Sequence, residues 1–202
     1  MYFSFLEEYR ITSELINERG AKAVGRLRQY FFEVPEYQIQ EALTTFNPFP
    51  EELKTFYCEI GFGFMHRTKP GQFNSLFDPM TLIYTNNQIN YFATPETVAE
   101  QKYFEIDKQL LFFKSNSNRY IAIDRNTNHG KNKIYYRGTA IEESLYDFLK
   151  LLSSDSYYLN QVIEITDYEQ AKKTQRMEKE NTKEIQKQKV KYLGGYRLLD
   201  PN

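Results

Sequence analysis

The chain of 202 residues contains no tryptophan, one cysteine, two histidines, nine glycines and seven prolines. Each shortage excludes something. Cys58 has no second cysteine with which to close an internal disulfide, so the disulfide-stapled secreted scaffolds are excluded. One Cys and two widely separated His do not make the four ligands of a structural zinc site at recognisable spacing. No apolar run is long enough to span a bilayer, so no membrane partner is expected. The N-terminus, Met1-Tyr-Phe-Ser-Phe-Leu-Glu-Glu8, carries acids where a secretory signal would carry bases, so a cytoplasmic location is expected. The chain has no phosphate-cradling loop of the P-loop type, and Gly61-Phe-Gly63 is not a dinucleotide fingerprint, because it follows a helix and lacks the third glycine.

The sequence is rich in aromatics, with 17 Tyr and 16 Phe making 16% of the chain. Without tryptophan the core must lean on these rings, and many tyrosines are expected at the boundary between core and water. The net charge of −1 hides an asymmetry. From Glu169 onward nine Lys and Arg face five Asp and Glu, which leaves the preceding 168 residues at −5. A mildly acidic body argues against nucleic acid as a direct partner and favours a basic protein.

The segment Phe49 to Phe64 is the most informative. Pro50 suits a helix start, Glu51 and Glu52 suit the positive end of the dipole, and Leu53, Phe56, Tyr57 and Ile60 recur at the spacing of one buried face. Gly61 is placed to end the helix, and Phe62 to Phe64 open a strand. A helix is expected over Pro35 to Phe46, and another from about Ala21 to Phe32. Ser4 to Glu7 fits a capping box. Thr68 to Gly71 reads as a loop, and Thr94-Pro95-Glu96 as a turn. Asp78-Pro79 pairs an N-cap with Pro at the first helical position, predicting a short helix ending near Asn86-Asn87. Gln109 to Lys114, Arg119 to Asp124 and Lys133 to Arg137 read as strands joined by close turns, an antiparallel meander. Ile141 to Leu152 reads as a helix. Thr166 to Glu169 fits a second capping box, opening a charged and solvated helix. The expected organisation is an N-terminal helical segment (1–34), an α+β core (35–152) and a C-terminal extension of mostly charged helix (153–202).

No segment carries a convincing active site. His129 sits in a turn as a surface residue. Cys58 has no base partner and reads as a half-buried structural thiol. Glu105, Asp107 and Asp124, with Lys108 and Lys114 nearby, are too loosely spaced for a metal-dependent nuclease and read first as strand-end charge. Tyr84, Tyr91, Tyr120, Tyr135 and Tyr136 cluster near the expected sheet, either as core packing or as interface hot spots.

Phe49-Pro50-Glu-Glu-Leu53-Lys-Thr-Phe56-Tyr57 followed by Gly61-Phe-Gly63 resembles the SUKH superfamily, with its fungal Smi/Knr regulators and bacterial immunity proteins. Phe77-Asp78-Pro79, Leu110 to Phe113, Tyr120 to Asp124 and Ser144 to Leu149 continue the likeness in order, over about Pro35 to Leu152. The resemblance implies an α+β fold, one mixed, largely antiparallel sheet flanked by helices. It implies no catalysis and no cofactor or metal, and binding of a cognate toxin, often a nuclease, as the function. A regulatory scaffold of the Smi/Knr type is the alternative, and a metal-dependent nuclease a third. The expected toxin-binding residues are Asp78, Tyr84, Tyr91, Asp124, Tyr135 and Tyr136.

Overall fold

The computed structural model describes residues 1–12, 27–69, 72–91, 102–105 and 107–195, without the side chains of 67–69, 89–91 and 187–195. The α+β architecture is as expected: one mixed, eight-stranded sheet flanked by helices, followed by a long C-terminal helix. Helix α1 spans Glu36–Thr45 and α2 spans Glu51–Glu59. Pro50 sits immediately before α2, Glu51 and Glu52 fill its first turn, and Leu53, Phe56, Tyr57 and Ile60 are buried. Gly61 ends the helix at φ +117°, its N–H donating to the Phe56 carbonyl at 3.0 Å.

The strands are β1 (Arg10–Ile11), β2 (Tyr30–Phe32), β3 (Phe62–Lys69), β4 (Gln72–Leu76), β5 (Gln109–Lys114), β6 (Tyr120–Asp124), β7 (Ile134–Tyr136) and β8 (Thr139–Glu142). They lie side by side in chain order, with β1 and β2 parallel and every later pair antiparallel. Register sorts their side chains into two faces. One row across the sheet is Phe31, Gly63, Leu76, Phe113 and Ile121, every member buried. The alternate row is Tyr30, Phe64, Ser75, Lys114 and Tyr120, every member half-buried. Phe56 of α2 meets Phe31 with ring centroids 5.7 Å apart, and Phe148 of α4 (Leu145–Ser154) meets Phe113 at 5.4 Å. Those helices therefore cover the first face.

The glycine pair is a steric requirement of this sheet. A Cβ on Gly61 would lie 1.8 Å from the Phe32 carbonyl oxygen, and one on Gly63 would lie 2.1 Å from that of Tyr30. Only glycine lets β2 approach β3 there.

At several positions the structure differs from the local sequence pattern. Tyr30–Phe32 is a strand and not the end of a helix, because pairing with β3 overrides local propensity; residues 21–26 of that expected helix lie outside the described residues, as do the turn at Thr94 to Glu96 and Pro70-Gly71. Thr68 and Lys69 belong to β3, and β4 was not anticipated. Ile141 lies in β8, and α4 starts four residues later, where the Ser144 hydroxyl oxygen accepts the Asp147 N–H at 3.0 Å. Ser4 opens a 3-10 helix, Ser4–Tyr9, with no side-chain cap. Thr166 lies inside helix α5 (Tyr158–Gly195), so the second capping box is not formed either. Asp78-Pro79 does open a helix, α3 (Pro79–Tyr91), longer than expected.

Met1–Gln161 is one compact unit and Val162–Asn202 a second. Within the second unit every side chain from Ala171 to Gln186 is exposed.

Inside the first unit, Glu52 is 4% exposed and its carboxylate holds three backbone N–H groups. Oε2 accepts from Asn132 at 2.6 Å and Leu145 at 3.1 Å, and Oε1 from Tyr146 at 3.3 Å. The Asn132 side chain returns the contact, its Oδ1 accepting the Glu52 N–H at 3.0 Å. Glu52→Ala would strand these buried donors, and a loss of about 3 kcal/mol in unfolding free energy is expected. The exposed Glu51→Ala control should cost less than about 0.5 kcal/mol. Urea midpoints that moved equally for both would contradict the role assigned to Glu52.

Candidate partner-binding surface

The sheet face opposite α2 and α4 holds the candidate surface. Leu111, Ala122, Tyr135 and Ala140 are register partners across β5 to β8. Leu111 and Ala122 are buried, and Phe104, Tyr120 and Tyr135 pack against them half-exposed. Small Ala122 leaves room for both tyrosine rings to pack beside it.

Charge surrounds this cluster. Asp124 lies on β6 beside Tyr135 of β7, and the Asp124 N–H donates to the Lys133 carbonyl at 2.9 Å. Lys108 pairs with Glu105 at 2.5 Å and Lys133 with Glu143 at 3.1 Å. Both pairs are exposed and contribute little to stability. Burial, then the Asp124 carboxylate, pushes the Tyr135 hydroxyl above its ordinary pKa. Asp124 and Tyr135 are thus brought together as a phenol in an acid-rich setting.

The other expected binding residues lie elsewhere. Asp78 is committed to α3: its Oδ1 accepts from the N–H groups of Met80 at 3.0 Å and Thr81 at 2.9 Å, and its Oδ2 from the Thr81 hydroxyl. Tyr84, 63% exposed on α3, accepts from the Gln88 amide at 2.5 Å. Tyr91 ends α3, and its side chain lies outside the described residues. Tyr136 is a correction. It is completely buried because alternation along β7 turns it to the core when Tyr135 faces out, so its ring is packing and not contact surface.

Phe104 escaped the sequence reading because it lies between regular elements, with no period to place it. Asn86, by its sequence context a helix end, does more than that. Its side-chain amide donates to the Leu111 carbonyl at 2.9 Å while its Oδ1 accepts the Leu111 N–H at 2.9 Å. Strand β4 pairs with β5 only at Phe113 and Lys114, so Asn86 supplies the backbone partner that β4 does not reach.

Cys58 is exposed and not half-buried as expected; desolvation of its sulfur and then Glu36 push the thiol up, away from thiolate. Among the described residues no three His, Cys, Asp or Glu side chains form a metal-binding group, and no helix is long and apolar enough to cross a membrane.

No family model matches the chain, and no solved structure does. Among curated proteins, "Immunity protein YxxD" of Bacillus subtilis (strain 168) is 35% identical over 134 residues, which cover 64% of this chain and 88% of that relative. The chain belongs to the family of this immunity protein. The match leaves about a third of the chain without a counterpart in the relative.

Two tyrosines away from the surface set an alkaline limit on the fold. Burial and Asp78 raise Tyr57 well above its ordinary value, its hydroxyl donating to the Phe77 carbonyl at 2.8 Å. Burial and a 2.5 Å hydrogen bond to Glu142 raise Tyr158 strongly. A folded pKa above the unfolded one gives stability that is complete below the unfolded value, near 10, and lost as pH rises beyond it. Unfolding free energy should therefore fall from pH 9 to pH 11, and less steeply in Tyr158→Phe. Urea titrations at both pH values check this; an equal slope in the variant would remove Tyr158 from the account.

Proposed function

We propose that this chain neutralises a cognate protein toxin by binding it directly, and that it does so without catalysis or cofactor. The observation that carries the reading is the 35% identity to an immunity protein over most of that relative's length. The sheet topology and the ordered motifs from Phe49 to Leu149 support a SUKH-type fold. The half-buried aromatic cluster of Tyr120, Tyr135 and Phe104, flanked by Asp124, Glu105 and Glu143, is the surface we assign to the toxin. Rings held by a rigid sheet lose little entropy on binding, and fixed acids speed the approach of a basic domain. A nuclease toxin, whose active cleft must attract phosphates, is the partner class this charge suits. Binding would take place in the cytoplasm.

A regulatory scaffold is the second reading, and the run of exposed side chains from Ala171 to Gln186 favours it, as a docking arm. Deleting Glu169 to Asn202 separates the two. A body that still binds and neutralises alone supports immunity; a truncated chain that loses every partner supports the scaffold.

Affinity purification from native cells, followed by production of the captured protein alone and with this chain, tests the function. One stoichiometric partner that arrests growth alone and not in co-production is expected. Tyr135→Ala should weaken that complex by ~30-fold or more, as a hot-spot truncation does. Asp124→Lys should slow association most at low salt. A captured partner whose toxicity persists in co-production would overturn the immunity reading. Unchanged affinity in both variants would move the interface elsewhere.

A further inference from the structure

A cavity of about 210 Å³ opens beside the aromatic surface, between the C-terminal end of α1, the middle of α3 and the start of β5. Phe104 and Leu111 belong both to its lining and to the Tyr120–Tyr135 cluster, so cavity and surface are continuous. Its size falls below that of sites for drug-sized ligands, which begin at about 300 Å³, and suits one side chain.

Its polar lining is biased toward donors. Arg125 is held in place by two backbone carbonyls, Nε donating to Pro48 at 3.0 Å and Nη1 to Asp107 at 3.3 Å. Its guanidinium lies 5.9 Å from the Phe46 ring centroid. Two of its five N–H groups are used, and among the described residues no carboxylate pairs with it. Gln109 is 8% exposed; its Oε1 accepts the Glu105 N–H at 3.3 Å, and its amide nitrogen has no partner among the described residues. Asn87 likewise lines the cavity with its amide uncommitted among the described residues. Asp107 is the opposing charge. Its side chain is exposed, so water screens it, whereas the guanidinium is fixed. Leu110 and Phe46 complete an apolar wall.

We propose that this cavity receives an acidic side chain of the protein partner, its carboxylate on Arg125 and the amides of Gln109 and Asn87, its methylenes on Phe46 and Leu110. The inference rests on the toxin-binding reading and names an anchor within it. A planar guanidinium gives a carboxylate a paired, charge-assisted contact that a neutral amide cannot match. The partner thus offers one acid within an otherwise basic face, which makes the contact a register-setting pin and not a source of general attraction.

The test uses the full chain, labelled with nitrogen-15, and N-acetyl-glutamate methylamide as the probe. Saturable shifts of the Arg125 Nε–H and of the Gln109 and Asn87 amides are expected, with a dissociation constant on the order of millimolar. The glutamine and lysine analogues should bind at least about tenfold more weakly. Arg125→Gln should abolish the response. Asn87→Ala, which keeps the Arg125 carbonyl contacts, should weaken it several-fold and guards against a folding defect. No saturable shift tenfold above the millimolar range, equal binding of the glutamine analogue, or unchanged binding in both variants would overturn the proposal. So would tighter binding of inorganic phosphate, which would mark a free-anion pocket. A chain that neutralises its toxin and ignores the probe sinks this inference alone; one that takes the probe and neutralises nothing sinks the immunity reading.

Discussion

Glu52 holds together parts of the chain that are far apart in sequence. Residue 132 enters the meander, residues 145 and 146 open α4, and all three give their N–H groups to one buried carboxylate on the first turn of α2. A carboxylate buried without such donors would cost several kcal/mol or take up a proton. With them it serves two ends at once: it sits at the positive end of its own helix and closes open N–H groups at the start of α4. Tyr2 adds a longer hydroxyl contact at 3.4 Å, and Phe3 N–H donates to Glu59 of the same helix at 2.9 Å. The N-terminal turn, α2, the meander and α4 therefore share one buried polar node. That node fixes where Phe148 lands on Phe113, and so which sheet face is covered.

The uncovered face follows from that choice. Because strand side chains alternate, placing Phe31, Phe113 and Ile121 under the helices obliges Tyr30, Phe64 and Tyr120 to point the other way. Gly61 and Gly63 let β2 close on β3 at the near end, and Asn86 finishes the β5 ladder where β4 stops.

Legibility in the sequence tracked the strength of the local signal. Helix α2 was readable because proline, two acids, a four-residue apolar face and a terminating glycine agree. So was Asp78-Pro79, whose capping chemistry lies within four residues. Strands β2 and β8 were not readable: Tyr30–Phe32 and Thr139–Glu142 are short, and only their neighbours make them strands. The candidate site shows the same limit. Alternation along Tyr135-Tyr136 says one ring is in and one out, but which is which depends on the side that α4 covers. Asp78 carries the capping role its sequence context announces, and that role engages both carboxylate oxygens. Arg125, Gln109 and Asn87 come from a loop, a strand and a helix, and no linear spacing unites them.

The aromatic surplus itself divides the outer face. Toward β2 and β3 the rings satisfy one another: Tyr30 meets Phe32 at 5.4 Å and Phe64 at 5.2 Å, Phe32 meets Phe62 at 5.6 Å, and Phe64 meets Phe73 edge-on at 4.3 Å. Such interlocked rings already collect the packing that a partner would otherwise supply. Toward β6 and β7 the composition changes. Tyr120 lies under the Lys114 ammonium at 5.6 Å, and Tyr135 stands among Asp124, Lys133 and Glu143. Two phenols here share the cluster with Phe104, and Lys133 and Glu143 pair beside them at 3.1 Å. The outer face therefore carries both kinds, ring against ring toward β2 and β3 and phenols among charges toward β6 and β7.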